Sequence, residues 1–248
     1  MRIFVKNPTA AFLMIGNELL SGRTQDKNLQ VLARALSAHG VRLREVRVIP
    51  DIEETIIKTT QELAKNYDHV FTSGGIGPTH DDITSASIAK AFSVALHRDP
   101  EAIALLSNYY KGELNEARLK MAEVPFGAKL IPNSVSSAPG FNIQNVYVMA
   151  GVPSVFAAMI AEIIPNLPRG DEIFSQEVKG FVSESKLAVS LTEIQNRYDD
   201  VEIGSYPGMQ DGIMSVTLVA RGLEKSRVAL VCAEMQKIID RLVAEKSA

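Results

Sequence analysis

The sequence contains a single cysteine, Cys232, and no tryptophan. One cysteine cannot form an internal disulfide, and it excludes CxxC redox motifs and zinc sites built from several thiolates. We therefore expect a reducing, intracellular environment. No run of about 18 apolar residues occurs, which excludes a transmembrane helix, and residues 1–8 lack the apolar stretch of a secretory signal. We expect a cytoplasmic protein that does not contact the membrane.

Neither sign of charge dominates, because the sequence has 26 Lys and Arg residues and 29 Asp and Glu residues, which gives a net charge of -3. A protein that coats nucleic acid would be strongly basic, so we expect no nucleic acid partner. The hydrophobic content of 46% excludes a disordered acidic chain. A chain of 248 residues forms one large domain or two modest ones, and it buries enough surface to fold without a disulfide or metal.

The first two thirds of the chain alternate strand and helix patterns. This alternation predicts an α/β fold, a three-layer sandwich around a mainly parallel sheet. Proline and glycine between residues 165 and 170 indicate a linker, and the following pattern predicts a small α+β unit. We therefore expect one domain over residues 1–168 and a second over 169–248. The predicted strands include Ala10–Gly16, Val41–Ile49, Asp68–Ser73, Val146–Met149, Ile173–Val182, Val201–Ser205 and Ile213–Ala220. The predicted helices include Asn28–His39, Ile83–Ala95, Glu184–Asn196 and Glu224–Val243. Further helices are predicted to open at Asp51–Glu54, to begin at Pro153, and to form two pieces between residues 100 and 122 that are broken near Lys111–Gly112.

A glycine-rich turn with two aspartates, Thr72–Thr84 (TSGGIGPTHDDIT), follows the third predicted strand. Its glycines let backbone approach a ligand closely, and bare amides there can bind an anion. Asp81 and Asp82 would suit a bridging divalent cation, or one of them could act as a base. The alternative is that one aspartate caps the next helix and the glycines form a tight turn. The turn is neither a Walker loop nor a Rossmann fingerprint.

Two further polar loops follow predicted strands. The loop Gly16–Asn28 (GNELLSGRTQDKN) carries Asn17, Glu18 and Asp26, and Asp51 follows the second strand. Because ligands bind beyond the carboxyl ends of parallel strands, Asp26, Asp51 and Asp82 would converge on one metal–phosphate site. The alternative for Asp26 or Asn28 is a helix cap, and for Asp51 a capping box with Glu54. Later loops contribute Asn133, Pro139, Gly140, Gly151 and Pro153, for which ordinary turn chemistry is the alternative.

These motifs together resemble the N-terminal domain of CinA, the competence/damage-inducible protein. That domain has the molybdopterin-binding-like fold of MogA and MoaB and of eukaryotic molybdenum insertases, and the resemblance covers about residues 8–168. The second unit, with Ile203–Pro207 (IGSYP), is similar to the KH-like segment of CinA and to the N-terminal half of eukaryotic FAD synthase; it has no GxxG loop, so RNA binding does not follow. The matching motifs are GNELLSGRTQDKN, TSGGIGPTHDDIT, Leu119–Pro125 (LKMAEVP), Ser137–Phe141 (SAPGF) and Gly151–Ser154 (GVPS).

The resemblance implies metal-dependent hydrolysis of a nucleotide pyrophosphate such as ADP-ribose or FAD, with Mg, Mn or Co as the divalent cation. It also implies self-association into a dimer or trimer. Because the chain ends at Ala248, we expect neither the deamidase domain of CinA nor the synthase half of FAD synthase. The expected catalytic residues are Asp51, Asp82 and Asp26, the expected metal ligands are Asp81 and Asp82, and the expected substrate contacts are Asn17, Glu18, Gly74, Gly75, Gly77, Pro78, Thr79, Asn133, Pro139, Gly140, Gly151 and Pro153.

One segment departs from the pattern of the family. The run Ala150–Val155 (AGVPSV) has valine where a carboxylate is expected, and it lacks an expected proline. If that carboxylate contacts metal or substrate, activity would be weak or altered. Two alternative functions therefore stand beside the hydrolase: a protein that binds or adenylylates molybdopterin in the same pocket, and a non-catalytic nucleotide-binding module.

Overall fold

The computed structural model describes residues 7–210 and 212–247, and it separates into two compact units, Met1–Gly170 and Asp171–Ala248. Most of residues 1–8, which we expect to lack a secretory signal, lie outside the described range. No helix among the described residues is long and apolar enough to cross a membrane.

The first unit is built on a mixed sheet with the strand order β2-β1-β3-β8-β7-β6. The first four of these strands run parallel, and the last two join through antiparallel pairs. The stretch of prolines and serines at residues 132–139 connects β6 to β7. The strands are β1 (Thr9–Ile15), β2 (Arg42–Ile49), β3 (His69–Ser73), β4 (Leu96–Arg98), β5 (Glu123–Pro125), β6 (Lys129–Ile131), β7 (Gly140–Ile143) and β8 (Val146–Met149), of which β4 and β5 form a separate antiparallel pair.

Helices cover both faces of this sheet, which confirms the three-layer α/β fold. The predicted break near Lys111–Gly112 separates α5 from α6, and both residues have positive φ. The helix predicted for Ile83–Ala95 is shorter, because the chain leaves it at Ala91 and forms β4. The helices are α1 (Asn17–Leu20), α2 (Asn28–Ala38), α3 (Glu53–Asn66), α4 (Thr84–Ala91), α5 (Pro100–Tyr109), α6 (Glu116–Lys120) and α7 (Pro153–Ile163), the last followed by a 3-10 turn, Ile164–Asn166.

The central strand β1 is apolar throughout because both of its faces are buried. Ala10, Phe12 and Met14 pack into one core cluster with residues of α2 and α7. Leu13 and Ile15, on the opposite face, pack with residues of α3 and α4. The continuous apolar run therefore specifies a strand held between two helical layers.

The carboxyl ends of the parallel strands meet at one edge through backbone contacts. The Gly74 amide donates to the Met149 carbonyl at 3.1 Å. Gly74 has φ +107°, and a Cβ on it would overlap the carbonyl oxygen of Ile15. On its other side, a Cβ on Gly151 would lie 3.4 Å from the Gly74 Cα. Only glycine at position 74 allows the ends of β1, β3 and β8 to approach this closely.

The second unit is a three-stranded antiparallel sheet with order β10-β11-β9 and two helices, which confirms the predicted α+β pattern. Its core holds Leu187 and Ile194 from one helix and Met235 from the other, against Leu218 of the sheet. Cys232 is buried in the same core, and burial raises the pKa of its thiol. The elements are β9 (Phe174–Gly180), α8 (Glu184–Arg197), β10 (Val201–Gln210), β11 (Ile213–Gly222) and α9 (Lys225–Ser247).

The contact at Gly74 predicts a large stability effect. Gly74→Ala should lower the free energy of unfolding by about 3 kcal/mol, because the new methyl group must displace backbone and positive φ adds strain. Gly127→Ala is the matched control, since Gly127 has φ +82° and open space where a Cβ would lie; it should cost about 1 kcal/mol. Urea unfolding followed by circular dichroism measures both. Equal losses in the two variants would contradict the steric argument.

Candidate functional site

The candidate site lies at the edge of the sheet where four parallel strands end. Strand β1 has β2 on one side and β3 on the other, so the chain leaves the sheet in opposite directions after β1 and β3. This reversal of strand order opens a crevice at the carboxyl ends, where ligands bind in open α/β sheets. The loops after β1, β2, β3 and β8 all reach this edge, as the sequence predicts.

The glycine-rich loop after β3 presents bare backbone amides. Gly74 and Gly75 have φ values of +107° and +70°, which turn the chain away from the strand direction. Within the described parts of the chain, the amides of Gly75, Ile76 and Gly77 donate to no acceptor. Consecutive unpaired amides of this kind bind an anion. Gly74 differs, because its amide is used by Met149, so its contribution is the close approach of backbone.

Both aspartates of this loop converge on one hydroxyl group. The Thr79 Oγ1 lies 2.6 Å from Asp81 Oδ1 and 2.5 Å from Asp82 Oδ2, and the Thr79 amide donates to Asp82 Oδ2 at 2.8 Å. Helix α4 begins at Thr84 without a side-chain cap. The alternative in which an aspartate caps this helix is therefore wrong, and Asp82 instead closes the loop that precedes it.

The surroundings of Asp81 favour its ionised form. The hydrogen bond with Thr79 holds the pKa of the Asp81 carboxyl below its ordinary value, with smaller contributions from His80 and Lys120. His80 itself is exposed, and its Nδ1 lies 3.9 Å from Asp81 Oδ1. Asp81 therefore keeps its charge to a lower pH than an isolated carboxyl group would.

These oxygens fit a hard divalent cation. A threonine hydroxyl carries one proton and can donate to only one of the two carboxylates it contacts. The Thr79 oxygen and the oxygen of the other carboxylate therefore face each other without a proton between them, and they repel each other. A cation bound to both oxygens would remove that repulsion. Carboxylate and hydroxyl oxygens are also ligands that Mg²⁺ and similar ions accept. The structure thus brings together the predicted metal ligands Asp81 and Asp82.

Asp51 lies at the end of β2, as predicted, but it does not form a capping box. Helix α3 begins after Ile52 without a side-chain cap. Asp51 Oδ2 instead accepts the Asn17 amide at 2.8 Å, which joins the loops after β1 and β2. Asp51 Oδ1 has no hydrogen-bond partner among the residues that the structure describes. The tertiary acceptor role prevails because Asn17 has an otherwise unpaired amide at the start of α1.

Asp26 follows the capping alternative. Its carboxylate accepts the amides of Asn28 and Leu29 at 3.1 and 3.0 Å, at the first turn of α2. In residues 7–210 and 212–247, no group of three or more His, Cys, Asp or Glu side chains is placed to hold a metal. The predicted convergence of Asp26, Asp51 and Asp82 on one metal is therefore corrected. Asp26 binds amides at the start of α2, Asp51 binds the Asn17 amide of the loop after β1, and Asp82 contacts Thr79 of its own loop.

Asn28 is a buried residue of this edge, where the sequence predicts either a polar group at the end of the sheet or a helix cap. Its side-chain amide donates to the Ser73 hydroxyl and to the Gly151 carbonyl, each at 2.8 Å, so it joins the ends of β3 and β8 to α2. Its Oδ1 is buried and has no hydrogen-bond partner among the residues that the structure describes. The sequence did hold a signal, since Asn28 shares the inward face of α2 with Leu32 and Leu36 at four-residue spacing.

Lys120 is a second functional candidate that the sequence analysis did not single out. It ends α6, and its ammonium group donates to the Thr79 carbonyl of the aspartate loop. The segment Leu119–Pro125 marked the resemblance to CinA, but no feature of the sequence shows which loop that segment reaches.

The remaining predicted substrate contacts divide into two groups. Asn133 is saturated by its own loop: it donates to the Ala138 carbonyl and accepts from Val135 and Ser136. Pro139 and Gly140 are buried, and a Cβ on Gly140 would overlap the carbonyl oxygen of Val148. For these three residues the turn and packing alternative prevails. The exposed residues of the predicted set are Asn17, Glu18, Pro78, Thr79, Gly151 and Pro153.

Two positions near the strand ends have further steric roles. The Glu18 carboxylate folds back over Gly16, so that a Cβ on Gly16 would collide with it. Val155, where a carboxylate is expected from the family pattern, is 6% exposed and belongs to the core cluster beneath α7. Valine at this position therefore supports packing of the helix on the sheet.

The comparisons with known proteins agree with this architecture. A protein of Archaeoglobus fulgidus is 34% identical over 218 residues, which is 88% of this chain and 93% of that protein. The probable FAD synthase of Caenorhabditis briggsae is 27% identical, and the match covers 90% of this chain but 49% of that protein. The crystal structure of the protein CinA from Thermoplasma acidophilum, of unknown function, matches with a TM-score of 0.61 and 32% identity, covering 65% of this chain and 99% of that one.

Two family models together match most of the chain. Residues 172–246 match the middle domain of FAD synthase. Residues 11–169 match the family described as probable molybdopterin binding domain. The resemblance to CinA and to FAD synthase is thus confirmed, and the chain belongs to the molybdopterin-binding domain family.

Proposed function

We propose that the protein is a metal-dependent nucleotide pyrophosphatase that hydrolyses a dinucleotide or sugar-nucleotide diphosphate, such as ADP-ribose or FAD, to AMP and a second phosphorylated product. The observation that carries the proposal is the pairing of opposite binding chemistries on one loop. Bare amides of Gly75–Gly77 suit an anion, and the adjacent carboxylates of Asp81 and Asp82 suit a cation. A diphosphate with a bound divalent cation presents both charges.

The chain's own residues account for binding and proton transfer. The amides of Gly75–Gly77 would hold one phosphoryl group, and the exposed loop after β1 would contact the rest of the substrate. Asp51 Oδ1 is free to accept a proton from an attacking water. The water oxygen then forms a new P–O bond while the bridging P–O bond breaks, and the leaving phosphate carries the electron pair.

The divalent cation, Mg, Mn or Co, would be held by Asp81 and Asp82 with the Thr79 hydroxyl. When bound, it supplies neutralisation of the diphosphate charge and a lower pKa for water. Asp82 also accepts the Thr79 amide, so this residue would hold the loop in one conformation with or without the ion.

The name of the family favours a second candidate, a protein that binds molybdopterin or transfers an adenylyl group to it. Both functions would use the same anion-binding loop. Calorimetric titration with molybdopterin and with ADP-ribose distinguishes them. Binding of ADP-ribose without AMP release would instead favour a nucleotide-binding module that has no catalytic activity.

The hydrolase proposal predicts AMP release that depends on Asp82. With Mg²⁺, Mn²⁺ or Co²⁺, the protein should release AMP from ADP-ribose or FAD, as measured by chromatography, and EDTA should abolish the reaction. Asp82→Asn keeps an oxygen for the Thr79 amide but removes the charge, so kcat should fall on the order of 100-fold. The exposed Asp199 of the second unit provides the control, Asp199→Asn, with unchanged kcat. Equal rates for Asp82→Asn and wild type would refute the proposal.

A pair of substitutions at Asp51 separates its catalytic role from its structural one. Asp51→Asn retains an acceptor for the Asn17 amide, so stability should change by less than about 0.5 kcal/mol while kcat falls about 100-fold or more. Asp51→Ala also removes the acceptor and should cost a further 1 kcal/mol or so of unfolding free energy. Urea unfolding and initial rates measure the two effects. Full activity in Asp51→Asn would leave Asp51 as a structural acceptor only.

A further inference from the structure

Lys120 places a positive charge beside the aspartate loop. The residue is half-buried at the end of α6, and its Nζ donates to the Thr79 carbonyl. That hydrogen bond uses one of the three N–H donors of the ammonium group. Among the described residues, Lys120 forms no ion pair with a carboxylate. Two donors and a full charge are therefore available to a ligand.

Lys120 also lines a small cavity next to the aspartate loop. The cavity has a volume of about 30 Å³ and is lined by Gly77, Asp82, Lys120 and Glu123, among others. A single water-sized group needs roughly 10–15 Å³ of such volume. The cavity therefore has room for an oxygen atom of a phosphoryl group.

The lining of this cavity selects the kind of group that would enter it. Gly77 contributes one of the bare amides of the anion-binding loop. Glu123 Oε1 lies 3.3 Å from Arg98 Nε, and the same guanidinium pairs with Glu116 at 2.7 Å, so Arg98 offsets only part of the Glu123 charge. An anionic oxygen that approaches the Gly77 amide would meet the ammonium of Lys120 as its second partner, and charge-assisted bonds of this kind are the stronger ones.

We propose that Lys120 binds a phosphoryl oxygen of the substrate next to the Gly75–Gly77 amides, with its ammonium group oriented by the Thr79 carbonyl. The inference rests on the proposed function for the nature of the substrate. Its ligand class is a phosphate-bearing anion, and the binding test needs no turnover. Lys120 would join the anion-binding amides to the aspartates that flank the proposed cation.

The test is calorimetric titration with inorganic pyrophosphate in EDTA, so that no metal contributes. Lys120→Met preserves the length of the side chain and removes the charge. It should raise the dissociation constant for pyrophosphate about tenfold or more. Lys120→Arg retains the charge and should stay within about threefold of wild type. Lys129→Met, on the exposed start of β6, is the matched control and should bind as wild type does.

A measurement of Mn²⁺ affinity separates binding from a purely structural role. If Lys120 only fixes the loop, Lys120→Met should lower the affinities for Mn²⁺ and for pyrophosphate by similar factors, and that result would overturn the proposal. If Lys120 binds phosphate, removing a nearby positive charge should leave Mn²⁺ affinity unchanged or raise it. Unchanged pyrophosphate affinity in Lys120→Met, or no binding by wild type, would also overturn it.

The two proposals fail in different ways. If wild type releases no AMP but Lys120→Met still loses pyrophosphate affinity, the hydrolase proposal fails and the Lys120 assignment stands. If wild type hydrolyses ADP-ribose and Lys120→Met binds pyrophosphate normally, only the Lys120 assignment fails.

In an active enzyme, Lys120→Met should raise KM for ADP-ribose about tenfold while kcat stays within about threefold of wild type. This is the pattern expected when an interaction that stabilises substrate and transition state equally is lost.

Discussion

At the carboxyl edge of the first sheet, the backbone of Gly74 lies between Ile15 and Gly151, with no side chain to separate the three segments. The remaining features of the site depend on this close approach. It joins the ends of β1, β3 and β8, and the positive φ of Gly74 turns the following residues away from the ladder. The amides of Gly75–Gly77 are then left without backbone partners in the described part of the chain. Asn28 reinforces the arrangement, because one buried side-chain amide contacts both Ser73 and Gly151.

Opposite charges surround the loop that follows. Asp81 and Asp82 converge on the Thr79 hydroxyl, while Lys120 donates to the Thr79 carbonyl. The amides and Lys120 suit an anion, whereas the two carboxylates suit a cation, so an anion alone or a cation alone would leave one set of groups unused. A metal-bound diphosphate satisfies both sets of groups. The hydrogen bond with Thr79 lowers the pKa of Asp81, so its carboxylate stays charged to a lower pH than an isolated carboxyl group would.

Much of the fold followed from the sequence because its signals are long and strong. The apolar run of β1 indicated a strand buried on both faces, and α2 showed helical spacing through Leu32 and Leu36. The short strands β4 and β5 were not predicted, since three residues are too few to show a period. Likewise, the short strands β6 and β7 were not predicted as members of the sheet.

The sequence by itself determined which polar residues follow the strands, and so which residues could share the edge of the sheet. The tertiary structure alone decided what each of them does there. Asp51 had the local pattern of a capping box, yet it accepts an amide 34 residues away, and Asn28 bonds a carbonyl 123 residues away. Capping and turn preferences act over a few residues, whereas a buried polar group takes whichever partner the packed fold brings within hydrogen-bond distance. Those partners exist only after the strands have assembled.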